Sequence, residues 1–183
     1  FRVSYGFVTL ASNGTTTCGV RADSAAYCWG PGGLSGSNTP AALPLPTMVE
    51  GGLRWTRLDV GFSAACGITS SSAAYCWGDN HLGHLGNGDA SGQRQNAPSL
   101  VAGGLSWRQV SVGLEHGCGI TAVNTGYCWG RNIFGELGDS SSVLQQYAPV
   151  AMAGGHSWQQ IEADGYTTCG LDDGGSAFCW GDN

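Results

Sequence analysis

The sequence predicts an all-β array of repeated sheets, each stapled by its own pair of cysteines. Three observations carry this reading. Eight cysteines fall into four pairs, Cys18/Cys28, Cys66/Cys76, Cys118/Cys128 and Cys169/Cys179, all with ten-position spacing and a period near 50 residues. Other residues keep step with them: Gly19, Gly67, Gly119 and Gly170 follow each first cysteine. Tyr27, Tyr75, Tyr127 and Phe178 precede each second cysteine, and Trp29-Gly30, Trp77-Gly78, Trp129-Gly130 and Trp180-Gly181 follow it. Finally, 32 glycines among 183 residues, with Val, Ile, Thr, Tyr and Trp between them, read as short strands joined by many turns.

Each repeat can be justified in order. A further Trp stands eleven positions before three of the first cysteines, at Trp55, Trp107 and Trp158. All seven tryptophans thereby occupy two repeat positions. The approximate repeats are 1–54, 55–106, 107–157 and a partial 158–183, within one repeat domain. Phe1 aligns with the repeat Trp, but eleven residues separate Gly6 from Cys18 where other copies have four, so the first blade is expected to be built differently. The spacers carry Gly83-His84-Leu85-Gly86 and Gly135-Glu136-Leu137-Gly138, a pattern that the proline-rich first spacer lacks.

The cysteine segments predict hairpins. Asp173-Gly174-Gly175 is turn chemistry, and folding about Gly174 sets Cys169 opposite Cys179, Gly170 opposite Phe178 and Leu171 opposite Ala177. Directly opposed residues of an antiparallel pair come close enough for a disulfide. Folding the other copies likewise sets glycine opposite an aromatic, whose ring is expected to lie over the bare backbone. Cysteine and the aliphatic residue then share one face, the aromatic and Trp the other. Both faces are apolar, so the hairpins should be sandwiched between neighbours. Disulfides are the expected state of all eight cysteines. Zinc knuckles would need Cys-x-x-Cys, which does not occur; free buried thiols are the other reading.

Composition removes several functions. The formal charge is −6 and no basic cluster exists, which argues against nucleic-acid binding. No apolar run approaches the length that spans a membrane as a helix. The paired cysteines point to an oxidising compartment, extracellular or at the cell surface. A start at Phe1 rather than Met reads as a processed or incomplete product.

The segments Trp107–Gly138 and Trp55–Gly86, with Cys-Gly-Ile, Tyr-Cys-Trp-Gly and Gly-x-Leu-Gly in series, resemble the repeat of the regulator of chromosome condensation family. His116 falls where that family often has His before the strand. The cysteine-bearing version is similar to repeats of secreted bacterial proteins. The resemblance implies a β-propeller of four-stranded blades, usually seven. Three repeats and a hairpin half are not expected to close such a ring, so an open or partial ring is the expectation.

The search for chemistry yields little. His81 and His84 share one loop, but no other loop repeats them; these histidines, with His116 and His156, are expected to be solvated loop residues, with no metal and no cofactor. Asp79-Asn80, Asn87-Gly88-Asp89 and Asp172-Asp173-Gly174 lack the spacing of a calcium loop and read as turns. The acids Asp59, Glu115, Glu162 and Asp164 form no recognisable pair, and no catalytic residue is expected. Asn13-Gly14-Thr15 is a sequon, so Asn13 is a candidate glycan acceptor. The expected function is a secreted structural or interaction protein that self-assembles, into a homo-oligomer or polymer, through blade edges. The alternative is a soluble recognition module, lectin-like or inhibitor-like, that binds an extracellular protein or glycan through loops 80–95 and 132–146.

Overall fold

In the computed structural model, which describes residues 6–31, 33–38 and 43–182, the chain is all-β. Strands β1 (Phe7–Ser12), β2 (Thr17–Arg21), β3 (Ala26–Gly30) and β4 (Leu43–Met48) form the first antiparallel sheet in chain order. Strands β5 (Trp55–Val60), β6 (Ala64–Thr69), β7 (Ala74–Gly78) and β8 (Gln95–Leu100) repeat it. So do β9 (Trp107–Val112), β10 (His116–Thr121), β11 (Gly126–Arg131) and β12 (Gln145–Ala151). The fourth sheet has three strands among the described residues: β13 (Trp158–Asp164), β14 (Thr167–Asp172) and β15 (Ala177–Gly181). It is therefore one strand more than a hairpin half, because β13 pairs along β14 as β5 does along β6.

The hairpin register is the one that folding about the turn predicts. Cys18, Cys66, Cys118 and Cys169 stand opposite Cys28, Cys76, Cys128 and Cys179, and each pair is bonded across the strands. The Cα atoms are 4.0–4.1 Å apart, as close opposition in the ladder requires. A residue with positive φ closes each turn, at Ser24, Ser72, Asn124 and Gly175.

Sandwiching follows from two apolar faces. The cysteine side of one sheet packs on the Trp side of the next. Cys66, Ile68, Ala74, Cys76, Leu85 and Val101 meet Trp107, Val110, Val112 and Trp129 in one continuous core. The junctions before and after it repeat this set with Trp55/Trp77 and Trp158/Trp180. The first strands lie inside: β1 neighbours β5, β5 neighbours β9, and β9 neighbours β13, so the sheets fan out as blades around a common inner wall.

The glycine after each first cysteine does face the aromatic, but that ring does not cover it. The first-strand Trp does. A Cβ on Gly67 would lie 2.7 Å from the Trp55 ring and 2.5 Å from Leu58. Tyr75 instead meets Trp55 edge-on, with centroids 6.1 Å apart. The Trp side chain crosses from β5 over the bare backbone of β6, a contact between adjacent strands that cross-strand pairing in the hairpin alone does not reveal. The Trp-Gly step has its own cause. Gly130 has φ +94° at a ladder irregularity, and a Cβ there would lie 2.7 Å from the Glu115 carbonyl of the inner turn.

The first blade is regular, contrary to expectation. Phe1 lies outside the described residues. Phe7, eleven positions before Cys18, takes the repeat Trp position and covers Gly19. Asn13 stands where Gly61 and Gly113 stand in later copies. Its Oδ1 accepts hydrogen bonds from Thr15 N (3.0 Å) and Thr16 N (2.8 Å), an Asx turn at the bend that glycine occupies in those copies.

Candidate functional site

Three surfaces are candidates: the face bearing the long loops, the inner wall and the two end sheets. The loop face collects the turns β1–β2, β5–β6, β9–β10 and β13–β14 with the long connections after β3, β7 and β11. The Gly-x-Leu-Gly pattern in these connections is a latch between blades. The carbonyl of His84 accepts the Trp129 indole N–H at 2.8 Å, and that of Glu136 accepts the Trp180 indole N–H at 2.9 Å. Gly86 and Gly138 lie flat against the same rings. The first spacer carries the latch after all, as Leu34-Ser35-Gly36, with the Leu34 carbonyl 3.1 Å from the Trp77 indole nitrogen and Gly36 against that ring. Because the carbonyl makes the bond, the sequence is free to vary on either side of it.

That freedom puts polar side chains into buried positions. His84 and Glu136 are 1% and 0% exposed, where the first spacer has Leu34. Glu136 is held by Arg131 at 3.3 Å and accepts the Phe134 N–H at 2.7 Å. Arg131 also approaches Glu115 at 3.5 Å and lies over the Tyr166 ring at 4.0 Å. His116 is 1% exposed and bridges two blades: its Nε2 is 2.8 Å from Thr168 Oγ1, whose single proton goes to the Glu136 carbonyl. His116 Nε2 is therefore the donor. The expectation of solvated histidines holds for His81, half exposed, and fails for His84 and His116. Sequence adjacency in a polar loop hid a packing position.

Burial holds the His84 imidazole down to about 4, with His81 adding to the effect. Burial does the same to His116, also to about 4, helped by His84 and Arg131. Both rings are neutral in the fold, but take a proton near pH 6.5 once unfolded. The unfolded chain thus binds more protons between pH 6.5 and 4, and stability falls as pH falls through that window. The slope is at most about 1.4 kcal/mol per pH unit for each ring. Asp59, whose carboxyl burial raises, acts in the opposite sense because it favours the fold as it protonates. Denaturant midpoints measured from pH 7 to 4.5 should drop steadily; a flat profile would contradict the burial of these rings.

The inner wall carries Asp59, Ser111 and Glu162 at matching positions of β5, β9 and β13. Asp59 and Glu162 are two of the four acids that the sequence leaves unpaired. Asp59 Oδ2 accepts the Val112 N–H at 2.7 Å, and Ser111 Oγ accepts the Ala163 N–H at 3.0 Å. Gln109 does the same with both groups of Ile161, and Glu162 accepts from Gln109 Nε2 at 3.3 Å and Ser111 Oγ at 3.4 Å. Each blade's side chains thus satisfy the free backbone edge of the next. Two cavities of about 560 and 510 Å³ open along this wall. Of the acids along them, Asp59 is engaged by a backbone N–H of the next blade and Glu162 by the side chains of Gln109 and Ser111.

The end sheets expose what internal junctions bury. Leu10 of β1 is 64% exposed, whereas its counterparts Leu58, Val110 and Ile161 are 7%, 3% and 0% exposed. At the other end, Cys179 and Ala177 are exposed, whereas Cys28, Cys76 and Cys128 are 0% exposed. The first sheet offers a Trp-type face and the last a cysteine-type face.

Asn13, the candidate glycan acceptor, directs Nδ2 to the Gly61 carbonyl of the next blade. A glycan on that nitrogen would have to displace this bond. The Asn and Asp clusters weighed for calcium form turns: Asp79, Asn87 and Asp172 accept the N–H groups of His81, Asp89 and Ser176. Among the described residues no helix is long and apolar enough to cross a membrane.

Comparison with known proteins agrees with this architecture. A family model described as the regulator of chromosome condensation (RCC1) repeat matches residues 71–120. Human WBSCR16 superposes with a TM-score of 0.85 at 17% identity, over 100% of this chain and 50% of its own. Yeast RCC1 (Prp20), solved bound to Kap60, gives 0.85 at 19% identity, over 99% of this chain and 45% of its own. The CRINKLY WD40 ectodomain of the Arabidopsis thaliana receptor kinase ACR4 gives 0.60 at 22%, over 96% and 53%. The chain spans about half the length of these structures.

Proposed function

We propose that this chain, a propeller-fold repeat protein of the regulator of chromosome condensation type, is a protein-interaction module rather than a catalyst, and that it associates with further copies of itself through its end sheets in an extracellular setting. The observation that carries this is the contrast at Leu10 and Cys179. Both are exposed on faces whose internal counterparts are buried, and the two faces are the two halves of the junction that the fold already makes three times. Joining them head to tail is a heterologous contact, which closes a ring if the rotation permits and otherwise extends. The bonded cysteine pairs favour an oxidising location.

Sedimentation velocity over a concentration series tests this. The oxidised chain should shift from monomer to dimer or larger species, and Leu10→Arg should hold it monomeric without altering its melting, since that side chain already faces solvent. A chain that stays monomeric up to its solubility limit, or a Leu10→Arg variant that associates equally well, would overturn the reading.

A second reading rests on a separate observation. Phe62, Ile133, Phe134 and Leu144 are exposed in the turns and connections of the loop face. Exposed apolar side chains on one face suit recognition of another extracellular protein or glycan. Yeast RCC1 was solved in complex with Kap60, a protein partner. Partner binding that survives Leu10→Arg would belong to this face.

A further inference from the structure

The connection after β7 departs from its counterparts in a way the fold does not require. The latch needs only a carbonyl at position 84, and the first spacer supplies it with Leu34. The third connection fills the same place with Glu136, neutralised by Arg131. The second places an imidazole there, buried at 1% exposure, with Nε2 bonded to nothing in the protein. A buried polar atom without a partner is costly, and a ligand at His84 would remove that cost.

Two more donors lie beside this imidazole. One ligating atom each of Asp79, His81 and His84 lie within 4.8 Å of one another. His81 Nδ1 is 3.0 Å from Asp79 Oδ2, and the two imidazole rings meet edge to face with centroids 4.7 Å apart. On the far side of His81, Nε2 is 3.7 Å from Glu115 Oε1. His84 Nδ1 lies 3.4 Å from Ser63 Oγ, which itself donates to the Leu114 carbonyl at 2.8 Å. Glu115 is braced by Arg131. An imidazole held by a carboxylate through its other nitrogen is the usual outer support of a metal-binding histidine.

We propose that Asp79, His81 and His84 bind one divalent ion of the zinc class. Two imidazoles and one carboxylate match that ion's preference for nitrogen and oxygen donors. His81 binds through Nδ1 while Glu115 accepts its Nε2 proton, and Asp79 supplies the anionic ligand. His81 is half exposed, so it can close the remaining distance by rotating about its side-chain bonds. Three protein ligands leave a coordination position open to solvent or to a donor from a bound partner. Magnesium and calcium, which take oxygen ligands, do not fit.

Zinc titrated calorimetrically into the tag-free, oxidised, chelator-treated chain should bind once per chain, and cobalt should give the visible absorption of a low-symmetry site. His81→Ala, at a half-exposed position, should weaken zinc by roughly 100-fold, and Glu115→Gln by about 10-fold, the range set by loss of an outer-shell support. His84→Leu copies the residue of the first spacer; it should abolish binding and leave the fold intact by circular dichroism. His156→Ala should change nothing. Absence of saturable zinc binding, or unchanged affinity in both His81→Ala and Asp79→Asn, would overturn the proposal.

Discussion

Trp129→Ala is expected to lower stability by about 3–5 kcal/mol, the range for emptying a fully buried aromatic site. Trp129 is fully buried between the second and third blades. Its indole N–H is anchored on the His84 carbonyl, and its ring lies against Gly86 and Gly117. Truncation therefore empties a large site, leaves the carbonyl without its donor, and loosens the latch that sets one blade against the next. Neighbouring backbone at two glycines cannot collapse far into the space. Trp29 is the internal control. It holds the same repeat position on the open face of the first sheet, where it is partly exposed and stacks on Phe7 at 5.4 Å. Trp29→Ala should cost less than half as much in the dilute monomer. Equal losses in denaturant unfolding would mean that the stacking of blades does not supply the stability assigned to it here.

The second large effect concerns the bridges. Replacing Cys118 and Cys128 together by alanine removes a cross-link that closes a loop with ten-residue separation. Loop-closure entropy alone assigns this about 3 kcal/mol. Both sulfurs are 0% exposed within the core that reaches Trp158 and Ile161, so lost packing adds to the entropic part. The Cys169–Cys179 bridge has the same separation, and so the same loop term, but it lies on the open face. Its removal should cost the loop term alone. Exposure also orders the chemistry, because reductant must reach a sulfur. Mass spectrometry under mild reduction should find Cys169–Cys179 opened first and the three internal bridges protected. Simultaneous opening of all four would show that the blades do not shield them. If copies associate through this face, raising the protein concentration should protect the fourth bridge too.

The hairpins were fully legible in the sequence because they are local. A ten-residue spacing with turn residues in the middle fixes which atoms oppose one another, and period-two alternation then assigns faces. The sandwich was legible as well, since a hairpin apolar on both sides has no stable place at a surface. The first blade is hidden in the sequence because Phe7 stands where the other copies have Trp, covering Gly19 in its place, and Asn13 stands where two of them have glycine. The latch at Leu34-Ser35-Gly36 escaped notice for a related reason: the bond comes from a backbone carbonyl, which no side chain announces.

What stayed illegible depends on blade-to-blade placement. Asp59 and Val112, Ser111 and Ala163, and Gln109 and Ile161 are more than fifty positions apart, and only the fan of first strands brings them together. His81 and His84 look alike in sequence, yet one is half exposed and the other buried. The difference is made by the neighbouring blade, whose Trp129 pins the His84 carbonyl and draws its side chain inside. The amino-acid sequence by itself determined the stapled repeat, because strand register and disulfide pairing need only contacts within some ten residues. The tertiary structure alone decided which polar groups are buried and which apolar faces are left open. Desolvation belongs to a surface once a second surface covers it, and the chain does not write that pairing locally.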